Sequence, residues 1–139
     1  MFHAAPKERL IEPRCSIQLG IRTAYDRDSH EFKVIPADKL NDMTISDIQS
    51  EVMECVGNMP IYLTFDIDCL DPAYAPGTGT PVVGGISSDR ALKMIRSLKG
   101  SNVVGADVVE VAPAYDHAEI TALAAVTIGL ELIHLMGSA

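Results

Sequence analysis

Apolar, β-rich runs alternate with helical stripes along this chain, and that order of elements leaves few folds open to it. In residues 15–22, Ile17, Leu19 and Ile21 fall on one face at period two, as in a half-buried strand. Residues 32–35 form a second, shorter run leading into Pro36. Pro60 introduces a third over 60–66, stopping at Asp66, and residues 103–111 make the fourth. Between them, Thr44 and Asp47 predict a capping box for a helix over 44–56, with Ile45, Ile48, Val52 and Val56 as its apolar stripe and Gly57 at its end. Ser87 or Ser88 caps a helix that runs to Lys99 and is closed by Gly100. Asp116 with Glu119 predicts another capping box, opening a final helix over 117–136. That helix is apolar on nearly every side, as expected of one packed between other elements. Strands alternating with helices predict a three-layer αβα fold around a mainly parallel sheet.

At 139 residues the chain has the size of one domain, and no repeat, low-complexity tract or Gly/Ser linker divides it. Its net charge of −8 and pI near 4.8, with no basic run, argue against nucleic acid and against an anionic membrane surface as partners. An acidic chain suits a cationic small molecule or a metal ion. The longest apolar stretch, 120–130, is closed by Glu119 and Glu131 and falls short of the ~20 residues of a membrane span. No apolar signal segment follows Met1. Cys15, Cys55 and Cys69 are odd in number and lack CxxC spacing, which predicts reduced thiols in a cytoplasm.

In open α/β sheets ligands gather at the carboxyl ends of strands, and carboxylates stand at two such ends here. Asp66 and Asp68 follow the third run, two residues apart, so extended backbone would point them to one side. Two carboxylates ~4 Å apart repel by about 4 kcal/mol at an effective dielectric of 20. Such a pair is tolerated if solvent separates it, if one member stays protonated, or if a cation such as Mg²⁺, Ca²⁺ or Mn²⁺ sits between. The plainer alternative is that one caps a turn while the other is solvated. Asp71 before Pro72 reads as a turn former that fixes the following loop. Glu110, at the end of the fourth run, either reaches solvent at a sheet edge or accepts a guanidinium or amine in a fork. The 76–81 loop, PGTGTP, lacks the Lys-Ser/Thr of a phosphate-binding loop, which argues against a nucleotide. His3, His30, His117 and His134 show no metal-binding spacing, and no histidine stands at a telling distance from a cysteine.

The run YLTFDIDCLDP over 62–72, followed by APGTGTP over 75–81 and by Gly84-Gly85, resembles the ureohydrolase (arginase) family. The likeness continues through DVVEVAPAYD over 107–116 and includes the opening Ala5-Pro6-Lys7-Glu8, so it spans essentially the whole chain. It is strongest toward the agmatine-hydrolysing branch. The resemblance implies an arginase-like α/β fold and a soluble cytoplasmic enzyme of polyamine (putrescine) biosynthesis, a homo-oligomer when complete. It implies a site with two Mn²⁺ ions, for which Asp66 and Asp68 match metal-holding carboxylates. Glu110 matches the acid that holds the substrate guanidinium, and Thr80 a hydroxyl beside that pocket. The implied reaction is attack of a metal-activated hydroxide on the guanidinium carbon of agmatine, giving urea and a diamine. A relative acting on guanidinobutyrate is the alternative within the family.

The family's upstream GGDH and D-A-H-x-D metal motifs do not occur in these residues, and His3 does not stand in the family's His-Gly-Thr context. The resemblance therefore predicts the C-terminal portion of a single ureohydrolase domain, beginning at an internal Met, with a gap where a strand of the other half belongs. A truncated, inactive product is the non-enzyme alternative. Phosphatases of the haloacid-dehalogenase type also open a D-x-D after a strand, but Cys69-Leu70-Asp71-Pro72 supplies neither the residue types nor the later acidic pair they need.

Overall fold

The computed structural model describes residues 4–25 and 31–138. In chain order the elements are α1 (Ala4–Lys7), β1 (Ile17–Ile21), β2 (Lys33–Pro36), α2 (Ala37–Asp42), α3 (Ile45–Val56), β3 (Ile61–Asp66), α4 (Ser88–Ser97), β4 (Val103–Val109) and α5 (Ile120–Met136). Single 3-10 turns occupy Pro13–Cys15, Ile67–Cys69 and Pro113–Tyr115. The alternation of strand and helix is the one expected, with several shifts of boundary. β1 starts at Ile17 because Glu12 caps a tight turn at Pro13, its side chain accepting from Arg14 N at 3.2 Å. β2 extends one residue further, into Pro36, and α2 follows it directly with Leu40 fully buried. No helix was expected there: six residues with one large apolar anchor leave too short a stripe to read.

α3 forms as its capping residues dictate. Thr44 Oγ1 accepts from Asp47 N at 3.1 Å, and Asp47 Oδ2 accepts from Thr44 N at 3.3 Å. Ile48, Val52 and Val56 are buried, and Gly57 ends the helix at φ +56°, a conformation costly for any other residue. In α4, Ser87 Oγ accepts from Arg90 N at 3.1 Å, while Ala91 and Ile95 face the core. That helix ends at Ser97, two residues before the expected Lys99.

The entry to α5 differs from expectation. Glu119 adopts a left-handed backbone at φ +55° and makes no side-chain cap. The capping is done by Asp116, whose carboxylate accepts from Thr121 N at 3.1 Å and Ala122 N at 2.8 Å. Burial acts to raise that carboxyl, but the amides of Ala122 and Thr121 outweigh it and hold it below the usual carboxylate range.

Both strand pairs are parallel, as the alternation requires, but they form two pairs, β1–β2 and β3–β4, and not one sheet. β1 approaches the turn that follows β3, yet among the described residues the two strands share no ladder. α3 packs on α4, α4 on α5, and α5 on β4. The core between these helices and the strands is built from Leu40, Ile48, Phe65, Ile67, Leu70, Ile86, Ile95, Ile128, Leu132 and Leu135. Phe65 turns inward from β3, whereas Tyr62 and Thr64 on its other face are exposed. Parallel sheets are ordinarily covered on both faces, so this open face is exceptional.

α5 likewise covers the core on one side only. Thr121, Ile128, Leu132 and Leu135 are buried, while Leu123 and Val126 are 68% and 71% exposed, with Leu130 and Ile133 on the same outward stripe. The expectation of a helix enclosed by other elements is thus met on one face and not on the other. A contiguous apolar stripe in water favours association. Purified as these 139 residues, the chain is expected to self-associate in sedimentation velocity, and Leu123→Glu with Val126→Glu to shift it toward monomer. Monomeric behaviour of the unsubstituted chain at the same concentration would contradict this.

Candidate active site

The chain leaves β3 at Asp66 and turns at once. Asp66 Oδ1 accepts from Asp68 N at 3.1 Å, capping the 3-10 turn Ile67–Cys69. Extended backbone was expected to bring Asp66 and Asp68 to one side; a capped turn does so instead. Asp68 is held from across the loop, where Thr80 Oγ1 donates to its Oδ2 at 2.8 Å. Thr80 thus touches Asp68, one of the two paired carboxylates. Ile67 and Leu70, both buried, anchor the turn from below.

Asp71 fixes the loop, as its place before Pro72 predicts. Its Oδ1 accepts from Ala73 N at 3.0 Å, and its Oδ2 from Gly84 N at 2.7 Å and Gly85 N at 3.2 Å. Those amides, led by Ala73 and Gly84, hold its carboxyl below the usual range. A second set of contacts ties the 76–80 segment to the end of β4. Thr78, almost fully buried, donates from Oγ1 to Glu110 O at 2.9 Å, and Ala112 N donates to Gly77 O at 2.8 Å. Gly77 N donates to Thr121 Oγ1 at 2.7 Å.

In β4, Val109 pairs with Asp66, so Glu110 lies one residue beyond that register. The strand ends there and not at 111, because Glu110 takes a left-handed backbone at φ +65°. For a non-glycine residue that conformation is uncommon and strained, and strain of this kind clusters at functional sites. The Thr78 hydroxyl on the Glu110 carbonyl helps to hold it. Asp66, Asp68 and Glu110 accordingly share one sheet edge. The Asp66 carboxyl is pushed up to about 6, first by burial and then by the negative charges of Asp68 and Glu110, against the favourable amide of Asp68. Among the described residues none of the three forms an ion pair.

A divalent cation is the natural partner of such a cluster, and hard carboxylate oxygens suit Mn²⁺ or Mg²⁺. The donor type fits. The donor number does not close a coordination shell: among the described residues no group of three or more His, Cys, Asp or Glu is arranged to hold a metal. His117 and His134 are exposed, while His3 and His30 lie outside the described residues. Burial pushes the Cys69 thiol up to about 12, so it is no thiolate nucleophile. An open cleft beside Asp71, lined by Asn41, Tyr74, Ser87 and Arg90, contains none of the three carboxylates. No described helix is long and apolar enough to cross a membrane.

Two residues of this edge were given no role by the sequence. Thr78 stands within the APGTGTP run, but nothing there singles it out from its small neighbours. Arg22, at the end of β1, reaches under the turn; its only sequence signal is a cation placed at the same strand edge as the carboxylates.

The arginase family's sequence profile matches residues 1–134. The chain belongs to the arginase family. The agmatinase of Escherichia coli O1:K1 / APEC is 59% identical over 138 residues, which make up 99% of this chain and 45% of that enzyme, in its C-terminal half. This arginase-family chain therefore spans less than half the length of the curated relatives it matches. Among solved structures, a hypothetical agmatinase from Burkholderia thailandensis superposes with a TM-score of 0.92 at 51% identity, over 96% of this chain and 42% of the other. The proclavaminate amidino hydrolase of Streptomyces clavuligerus gives a TM-score of 0.93 at 40% identity, over 99% and 47%. The fold is arginase-like, in its C-terminal part.

Proposed function

We propose that this chain supplies the C-terminal part of the active site of a metal-dependent hydrolase that cleaves agmatine to putrescine and urea. The observation that carries the reading is the convergence of Asp66, Asp68 and Glu110 on one sheet edge with no cation paired to them among the described residues. The high identity to agmatinases supports the substrate class. A guanidinium carbon is a poor electrophile because its positive charge is delocalised. A pair of Mn²⁺ ions bound at that sheet edge would supply a hydroxide-like nucleophile near neutral pH. Asp66 and Asp68 would hold those ions, with further ligands from the other half of the domain. Thr80, donating to Asp68 Oδ2, restrains that carboxylate. Glu110 accepts two N–H groups of the guanidinium in a fork, which orients the carbon toward the aspartates. Cytoplasmic location and assembly into a homo-oligomer belong to the same reading.

The likeness to an amidino hydrolase favours a second substrate within the same chemistry. Glu110 reads only the guanidinium end, so guanidinobutyrate would meet the same contacts here. The test separates the roles of the carboxylates in the complete enzyme. Glu110→Gln keeps the shape and removes the charge; a charge-assisted hydrogen bond worth about 1.5–3 kcal/mol corresponds to a fall in turnover of about 10–100-fold. Its Mn²⁺ content is expected to stay at the parent level, whereas Asp68→Asn should lose metal and turnover together. Equal metal loss in both variants would contradict the assignment.

A further inference from the structure

We propose that Arg22 is a positioning residue: its guanidinium, fastened to main-chain carbonyls on three separate segments, sets the geometry of the Asp66–Asp68 turn and the Thr80 loop for a divalent ion. The inference rests on the metal-dependent reading above and extends it to a residue outside the family signature quoted for this chain. Arg22 follows β1 directly. Its Nε donates to Val82 O at 3.0 Å, and its Nη1 to Gly20 O at 3.0 Å and Cys69 O at 3.2 Å. Its Nη2 donates to Asp68 O. One half-buried side chain thus joins the end of β1, the turn after β3 and the loop that carries Thr80.

The choice of acceptors is informative. Arg22 sits beside a cluster of carboxylates, where a guanidinium would ordinarily form an ion pair. It bonds instead to the carbonyl of Asp68, and among the described residues it makes no salt bridge. A direct pair with the Asp68 carboxylate would compete with a bound cation. Holding the backbone leaves both aspartate carboxylates without a cationic partner among the described residues. The clamp is also needed mechanically, because β1 and β3 share no ladder to hold the turn in place. Close packing of Gly20 on Cys69, whose Cβ would be 3.6 Å from a Cβ at Gly20, adds to it.

Only arginine meets this geometry. Nε, Nη1 and Nη2 point in different directions in one rigid plane, and each engages a different carbonyl. A lysine ammonium is a single point that cannot reach all four acceptors. Arg90 provides the control: it also donates to backbone carbonyls, those of Leu40 and Met43, and although it lines the cleft beside Asp71 it bonds to neither the 66–69 turn nor the loop that carries Thr80.

The test uses Arg22→Lys and Arg90→Lys in the 139-residue chain, with two readouts. The first is amide hydrogen exchange in the 66–71 and 80–85 segments. The second is Mn²⁺ binding by electron paramagnetic resonance, with Mn²⁺ alone as the probe. Arg22→Lys is expected to speed exchange in both segments while α4 and α5 keep the parent rates. It is expected to weaken Mn²⁺ binding by about tenfold or more, the usual effect of losing a group that orients metal ligands. Arg90→Lys should lower general stability and leave Mn²⁺ affinity within about twofold of the parent, since it touches no ligand. Mn²⁺ affinity unchanged in Arg22→Lys, or faster exchange no different from that of Arg90→Lys, would overturn the proposal. Where the unsubstituted 139-residue chain holds no Mn²⁺, as its incomplete ligand set allows, the same substitutions are compared in the chain fused behind the upstream half of the Escherichia coli agmatinase. No bound Mn²⁺ in that fusion, with the exchange contrast intact, would overturn the metal-dependent reading while supporting Arg22 as the clamp of the turn.

Discussion

Asp66→Asn is expected to move two measurements in opposite directions, lowering turnover in the complete enzyme and raising the thermal stability of the metal-free protein at pH 7. On the proposed assignment of Asp66 as a metal ligand, its loss forfeits several kcal/mol of transition-state stabilisation, which at about 1.36 kcal/mol per decade is a loss of about 10³-fold in kcat/KM. The stability effect follows from the Asp66 carboxyl, raised from an ordinary 3.8 to about 6 by burial and by the neighbouring negative charges. Between those two values the folded chain keeps a proton that the unfolded chain releases. Stability from this group is therefore full below about pH 4 and is lost as pH rises through about 6. The asparagine keeps an oxygen to accept from Asp68 N, so the turn survives, and the charge that disfavours the fold at neutral pH is gone. Thermal melts without metal should show the variant above its parent at pH 7 and level with it near pH 4. Added Mn²⁺ should stabilise the parent far more than the variant. A variant less stable than its parent at pH 7 without metal would contradict the raised Asp66 carboxyl as a cost to the fold.

Gly85→Ala should be strongly damaging for a single added methyl group. A Cβ at Gly85 would lie 2.4 Å from Asp71 N and 2.5 Å from Leu70 C. Both atoms are backbone, and Asp71 N is itself bonded to Ile86 O at 3.0 Å, so neither can move without undoing the bridge between Leu70 and Ile86. Overpacking against backbone costs about 3 kcal/mol or more, and here it also shifts the residues behind Asp66 and Asp68. Gly79→Ala, with nothing within 4 Å of its Cβ, is expected to fall within about 0.5 kcal/mol of the parent. Urea unfolding of the two variants measures the contrast, and equal midpoints would refute it.

What was legible in the chain divides along the range of the interactions. Thr44 and Asp47 cap each other across three residues, and Ile48, Val52 and Val56 repeat at helical spacing, so α3 could be read with its ends. Asp71 before Pro72 announced its own turn for the same reason. Asp66, Asp68 and Glu110 stood out at strand ends, but their roles, and Thr80 altogether, came from the ureohydrolase signature, since a bare D-x-D leaves both readings open. Their geometry was not legible. Thr78 on the Glu110 carbonyl and Thr80 on the Asp68 carboxylate act from across the loop, contacts that no local pattern reports. Asp116 could be seen as a helix cap, but the amides it takes lie five and six residues on, because Gly77 and Thr121 pack against it. The apolar α5 gave no hint of which face lies open, as its stripe runs all round.

The most direct test of the central claim, that these three carboxylates are one part of a hydrolytic site completed by the other half of the domain, is urea release from agmatine. The 139-residue chain would be assayed with Mn²⁺ alone and again when fused behind the upstream half of the Escherichia coli agmatinase it matches at 59% identity. Asp66 and Asp68 offer at most four oxygens, too few to hold two ions at the ~3.5–4 Å spacing of two-metal hydrolysis. The chain alone is expected to release no appreciable urea, and the fusion to turn over agmatine in a manner abolished by chelation. Turnover by the short chain within about tenfold of the fusion, a difference of only about 1.4 kcal/mol, would contradict the account.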